Sequence, residues 1–485
     1  MLGDVEVDRL ATERRRAFHD AAIRLLLLIL VLAGHWGGRS VWAQSLMVMP
    51  NGTEFQVNSF TTAYSVQFGR GTCHEADGSF IVVWDSVRDG SGSSILGQRY
   101  ASGGERLGTE FQVNTSTYGF FSDPAVCCSD DGFVVAWAGP YPFFTPAFAG
   151  AFILGQRFDS SGAFRGTEFQ INSYSTLGNF AINPDLCCTA DGDFVVVWDE
   201  AAFLTGGGSA IVGQRYASNG SSLGTEFVVN SYTTQTYVVT PGVCCDAAAD
   251  FVVAWTRGNQ YDADVFGQRY ASSGNASGTE FQVNTYTTGV QGLTVSGFGF
   301  FFENRALCCD AAGDFVVAWP SDQSTNDADI FAQRFAQGGA FRGTEFQVNT
   351  YTIGFQQRPA VCCGPAGDFV VAWQDEGYYY SFNSVDLAGR RYASTGLPTD
   401  GQFQINTYSS AYPGPPSVSC APGGGFVVTW SGAPPNGGPG PDVLGQRFKL
   451  ALVNVPAAPT LSLIGLAGGI VALLAAAARA MHRRD

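Results

Sequence analysis

"CCDAAGDFVVAW", residues 308–319, decides how this chain is read. Two adjacent cysteines lead into an Asp/Gly turn, and a β-branched run follows that ends at Trp319. The same arrangement returns at Cys127/Cys128, Cys187/Cys188, Cys244/Cys245 and Cys362/Cys363, each pair about ten residues before a tryptophan. Two further units carry a single cysteine, Cys73 and Cys420. The anchoring tryptophans are Trp84, Trp137, Trp198, Trp255, Trp319, Trp373 and Trp430, at spacings of 53, 61, 57, 64, 54 and 57. A fixed period of this length marks a repeat architecture.

Each unit contains four short β-rich runs separated by Gly, Asp and Ser turns: A around the cysteines, B "FVVAW", C "GQRY" and D "EFQVN". None has a helical period. Four strands in each of seven units read as a seven-bladed β-propeller. A β-solenoid is the rival, but it would need an unusually long coil. The first "EFQVN" (54–58) precedes the first A run, and the last unit has no such segment after its C run. Residues 54–58 are therefore expected to complete the seventh blade and clasp the ring, unless Leu450–Val455 takes that place.

Neighbouring residues of a strand point to opposite faces, and in a propeller those faces meet the preceding and the following blade. A cysteine doublet thus offers one thiol to each neighbour. Measured from the tryptophan, Cys73 takes the first position of the doublet and Cys420 the second. That pattern fits an open ladder of six bonds: Cys73–Cys128, Cys127–Cys188, Cys187–Cys245, Cys244–Cys309, Cys308–Cys363 and Cys362–Cys420. It leaves no bond between the seventh blade and the first. An even cysteine count in an exported chain favours disulfides. Each bond would close a loop worth about 4 kcal/mol on the chain-entropy treatment. Vicinal disulfides and free buried thiols remain as rivals at this stage.

The chain has 485 residues, 45% hydrophobic and 14% charged, with a formal net charge of −16. That acidity excludes a nucleic-acid partner, which needs a basic surface. Residues 1–43 read as a signal peptide. Arg14, Arg15, Arg16 and Arg24 precede the apolar run Leu25–Ala33, and small-residue cleavage is expected between Ala43 and Gln44. The propeller then occupies 44–455. In the tail, 456–485, the apolar run 461–478 is long enough to cross a membrane, and Arg479, Arg483 and Arg484 follow it. The stretch Pro459-Thr460-Leu461-Ser462, the apolar helix and the Arg cluster together resemble the bacterial IPTL-CTERM sorting signal, a relative of PEP-CTERM tails. Ala458 before the proline and the lack of Trp-Gly after Ser462 depart from that pattern. The "EFQVN", "FVVxW" and "GQRY" units resemble repeats of large bacterial surface and RTX-type proteins. The resemblance implies an exported, envelope-anchored protein, processed by a sorting protease or left as a membrane anchor.

Candidate chemistry is sparse. His74 is the one histidine between the two terminal signals, and it reads as an ordinary turn residue. No catalytic triad, zinc motif or phosphate loop stands out, so no catalytic residue, metal ligand or cofactor is expected. Calcium is a minor option at the Asp-rich stretches 259–266 and 324–331. Arg269 and Glu280 are expected to pair across the C–D hairpin, as are their counterparts in other units. The B–C and D–A loops vary most and share one face. They carry Tyr141, Phe143, Phe144, Phe300, Phe301, Tyr378, Tyr379 and Tyr380, aromatics suited to a glycan or protein ligand. The expectation is a non-catalytic propeller that binds through this face. A polysaccharide-acting hydrolase or lyase is the second reading, and a structural surface component the third.

Overall fold

The computed structural model describes residues 42–456 except 60–65, 89–91, 117–118, 142–151, 174–179, 202–208, 232–236, 260, 293, 297–298, 302–305, 324–327, 377–384, 408–412 and 434–440. All its regular structure is β: seven antiparallel blades and a short separate hairpin, Thr294–Ser296 with Gly299–Phe301. With strands in the order A to D, blade 1 is Val66–His74, Phe80–Arg88, Gly92–Tyr100 and Arg106–Gln112. Blade 2 is Phe120–Ser129, Gly132–Tyr141, Phe152–Asp159 and Phe169–Gln170, and blade 3 is Phe180–Cys188, Phe194–Ala201, Ala210–Tyr216 and Phe227–Val228. Blade 4 is Tyr237–Cys245, Phe251–Asn259, Asp262–Tyr270 and Phe281–Gln282, and blade 5 is Leu307–Cys309, Phe315–Ser321, Asp329–Phe335 and Phe346–Gln347. Blade 6 is Gln356–Cys363, Phe369–Asp375, Asp386–Tyr392 and Phe403–Gln404. Blade 7 takes Ser417–Cys420, Phe426–Gly432 and Asp442–Pro456 from the C-terminal side, and Phe55–Gln56 as its strand D.

The clasp is therefore the N-terminal segment: Phe55 pairs with Gly445 and Gln56 with Leu444. Leu450–Val455 instead prolongs strand C of blade 7, and Trp42–Pro50 joins the same sheet as a fifth strand. The compact propeller unit is Met47–Ala451.

The repeated residues hold the blades to one another. Every anchoring tryptophan is fully buried. Strand D's phenylalanine packs on a stacked pair from the next blade, for example Phe111 against Phe133 and Phe158, whose ring centroids lie 4.6 Å apart. The geometry recurs at the closing interface, where Phe55 meets Phe80 and Tyr100. The glycine of "GQRY" is needed for this packing. A Cβ at Gly97 would lie 2.6 Å from the Phe111 ring. The asparagine of "EFQVN" takes over where strand D stops pairing. Its Oδ1 accepts the strand C amides of Ile95, Ile153, Ile211, Val265, Ile330, Leu387 and Val443 at 2.7–2.9 Å.

The Arg and Glu of the repeat do not pair within a hairpin. The ladder sets Gly267 opposite Phe281, so Gln268, not Arg269, stands across from Glu280. A one-residue offset puts two side chains on opposite faces. Both residues reach to a neighbouring blade instead. Arg99, Arg157, Arg215, Arg269 and Arg334 donate to carbonyls in the next blade's C–D turn at 2.5–3.0 Å, and Arg447 reaches Gly103 O. Arg391 is the exception, because blade 7 has no C–D turn. It forms an ion pair with Asp368 of its own blade at 2.7 Å. The glutamates accept from the residue after the preceding blade's asparagine, as in Thr115 N to Glu168 at 2.7 Å and Thr407 N to Glu54 at 2.9 Å.

Six disulfides join the blades: Cys73–Cys128, Cys127–Cys188, Cys187–Cys245, Cys244–Cys309, Cys308–Cys363 and Cys362–Cys420, with sequence separations of 55–65. No cysteine is free or vicinally bonded. Such bonds persist in an oxidising compartment. Among the described residues no helix is long and apolar enough to cross a membrane, and 461–478 lies outside them.

Candidate functional site at the propeller axis

Strand A is the innermost strand, and all seven copies line a cavity of about 200 Å³ on the axis. Most of its wall is small or apolar: Gly71, Ala125, Leu186, Val243, Leu307 and Pro416 belong to it. Among the described residues, Asp185 in blade 3 and Arg358 in blade 6 are the ionisable groups that line it.

A backbone irregularity in strand A brings Arg358 to this cavity. Strand A carries a bulge on the D–A side of the cysteines: register breaks between Ser122 and Ala125, Ile182 and Asp185, Val239 and Gly242, and Gln357 and Ala360. The first bulged residue is Asp123, Asn183, Thr240 or Arg358, with φ of 55°, 51°, 56° and 52°. Each precedes a proline. A non-glycine residue in the left-handed region before proline is sterically costly, and such strain gathers at functional sites. Four blades share the backbone, yet all four side chains differ. That separates them from the repeated residues that build the ring.

Hydrogen bonds fix the surrounding groups. Asp185 Oδ2 accepts from Val243 N at 2.9 Å, across to blade 4. Asp199 is 1% exposed, and its Oδ2 accepts from Asn183 Nδ2 at 2.8 Å and Thr240 N at 3.2 Å. Trp198 Nε1 donates to Glu200 at 3.2 Å. In blade 6 Glu376 N donates to Phe355 O at 2.9 Å, and the Glu376 carboxylate accepts from Gln357 Nε2. Burial pushes the Glu376 carboxyl above its ordinary value, against the opposing pull of the Arg358 charge and the Gln357 hydrogen bond. A raised carboxyl favours the protonated form that a general acid requires, although Glu376 is not itself among the residues that line the axial cavity.

The residues singled out from sequence fall elsewhere. The side chains of Tyr141, Phe143, Phe144, Phe300, Phe301, Tyr378, Tyr379 and Tyr380 lie outside the described residues, as do those of Ala43 and Gln44, whose backbone belongs to the strand Trp42–Pro50. The Asp-rich stretches are put to structural use. Asn284 donates to Asp264 at 2.7 Å and Asn349 to Asp329 at 2.6 Å, and no three-carboxylate or mixed cluster suited to a metal occurs among the described residues. His74 is not an ordinary turn residue, because its Nδ1 lies 2.8 Å from Ser419 Oγ in blade 7. Sequence reading missed the bulge residues. Their signal is the residue just before the proline of "P-x-V-C-C", which is Asp, Asn, Thr or Arg in four units.

No protein-family profile matches the chain, and no curated protein does. Solved structures of similar architecture include a protein of unknown function from Dyadobacter fermentans (10% identity, 83% of this chain and 99% of that one, TM-score 0.48). A GH93 α-L-arabinofuranosidase of Fusarium graminearum matches at 11% identity over 83% and 97% of the two chains, TM-score 0.41. A polysaccharide lyase matches at 8% identity over 82% and 99%, TM-score 0.47. The expectation of a non-catalytic binder is corrected at this point: two of these three are carbohydrate-acting enzymes, the reading that the sequence left second. The likeness is one of architecture, and no residue of those proteins is carried over to this chain.

Proposed function

We propose that the axial cavity is the active site of a polysaccharide-acting hydrolase or lyase. The observation that carries this reading is the convergence of Asp185 and Arg358 on one axial cavity, with the half-buried Glu376, whose carboxyl burial pushes up, bonded to Arg358's neighbour Gln357. In this reading Arg358 presents a planar fork of donors to sugar oxygens or a sugar carboxylate. Glu376 delivers its proton to the departing glycosidic oxygen. Asp185 accepts the balancing proton. In hydrolysis that proton comes from the water that adds to the anomeric carbon. In a lyase it comes from the carbon next to a uronate carboxyl, and a double bond forms as the oxygen leaves. Asp199 is a positioning residue that fixes Asn183 and the Thr240 amide on the strand A bulges of blades 3 and 4.

The test is to incubate the disulfide-intact protein with neutral and uronate-containing polysaccharides. New reducing ends without ultraviolet absorbance of an unsaturated product mean hydrolysis, and both signals together mean elimination. A protein that is folded and fully oxidised yet shortens none of these polymers overturns the reading.

The two termini enter the same proposal as addresses. Residues 1–43 act as an export signal cut between Ala43 and Gln44. Residues 456–485 act as a sorting tail whose apolar run 461–478 holds the propeller to the cell envelope until a sorting protease acts. The residue patterns quoted above support this, as does the oxidising compartment that six disulfides require. Mass spectrometry of protein from its native host tests it. A mature chain beginning at Gln44 is expected, and an intact Met1 would contradict it.

A further inference from the structure

Six of the seven blade interfaces are covalently bonded, and the seventh is not. The register shows what replaces the bond. In blade 3, Cys187 stands opposite Val195 and Cys188 opposite Phe194. In blade 7 the position of Cys187 is Ser419, opposite Val427, and in blade 1 the position of Cys188 is His74, opposite Phe80. These are the two sites that a seventh disulfide would occupy. They carry instead a hydrogen bond of 2.8 Å between His74 Nδ1 and Ser419 Oγ. The interface keeps the aromatic packing and the Glu110 and Arg447 latches. Only the covalent rung is exchanged.

We infer that this seam is the built-in opening point of the ring, and that acid loosens it through His74. The imidazole is largely buried beside Phe80, at 5.4 Å between ring centroids. Burial and the Arg447 charge lower its pKa to about 4. The hydroxyl of Ser419 can turn to accept from a protonated ring, so the hydrogen bond itself survives acid. What becomes unfavourable is a second cation held out of water next to Arg447. The other charged groups around this spot are Lys449 on the same strand as Arg447, Asp77 and Glu75 on the blade 1 turn, and Glu105 beside Arg447. Asp77 and Lys449 share the adjoining cavity with His74. Ser419 does not line that cavity and is 9% exposed, so the pair is placed as a structural rung and not as a nucleophile with its base. The axial cavity is walled at the seam by Thr72 on one side and by Ser417 and Val418 on the other. Opening there breaches the axial site laterally while the other six interfaces stay bonded.

Hydrogen exchange on the oxidised, full-length protein tests this, at neutral pH and near pH 4, after correction for intrinsic rates. Amides of 417–420 and 71–74 are expected to exchange roughly tenfold or more faster in acid than their counterparts at the six bonded interfaces. A His74→Cys/Ser419→Cys variant with every cysteine bonded is expected to lose that excess. A His74→Phe variant, which cannot take up the proton, is expected to lose it as well. Equal acid-induced exchange at all seven interfaces overturns the inference, as does an undiminished excess in either variant. Neither readout uses turnover, so the result stands or falls apart from the proposed activity.

Discussion

The rim of the propeller and its axis are built by opposite rules. Around the rim the same residues recur in nearly every blade: the buried tryptophan, the glycine under the phenylalanine ring, and the asparagine that caps strand D. In strand A, the innermost strand, the same bulged backbone recurs, but Asp123, Asn183, Thr240 and Arg358 occupy it in turn, and Arg358 lines the axial cavity. Repetition is what a ring of equal interfaces requires, since one geometry must be satisfied seven times. Variation on a fixed, strained backbone is what a site requires, since a substrate has no sevenfold symmetry. The difference separates residues that hold the fold from residues available for chemistry.

The largest effect on the rim side is expected from a disulfide. Changing Cys187 and Cys245 together to alanine removes a bond spanning 58 residues and costs about 2–5 kcal/mol, read as a lower denaturant midpoint. Next comes the His74 rung. Its folded pKa, about 4, lies below the 6.5 of a free histidine, so between those values the unfolded chain binds more protons. The neutral histidine's contribution is whole above about pH 6.5 and is lost as pH falls toward 4. The loss is on the order of 2–3 kcal/mol and is absent in His74→Phe, as melting curves across pH will show. Asn349→Ala strands the buried Ile330 amide and removes a 2.6 Å hydrogen bond to Asp329. A cost of about 1–3 kcal/mol is expected. Smallest is Glu168→Gln, which keeps an acceptor for Thr115 at an exposed latch and should change stability by less than about 1 kcal/mol.

Rim features were legible in the sequence because they repeat. The clasp by Phe55–Gln56 follows from counting "EFQVN" segments against C runs. The staggered bonding follows from which half of the doublet Cys73 and Cys420 retain. Arg269 and Glu280 were misread because spacing in a hairpin fixes partners only once the register is known, and that register is offset by one residue. His74 was misread because it was judged as a lone histidine, although it fills the slot that the missing cysteine vacates. The axial residues were the least legible. A left-handed residue before proline leaves no periodic trace, and the proximity of Asp185 in blade 3 to Arg358 in blade 6 exists only once the ring is closed.

The most direct test of the account compares two matched substitutions in one assay of polysaccharide turnover, Glu376→Gln at the axial site and Glu168→Gln on the rim. Both remove one carboxylate charge and keep the side-chain shape. If the axis carries the chemistry, Glu376→Gln lowers kcat/KM by roughly 10²–10⁴-fold and Glu168→Gln leaves it unchanged. The wild-type rate should also fall as pH rises through the raised Glu376 value. Equal rates in the two variants, with the wild type active, would contradict the assignment of the axial cavity as the active site.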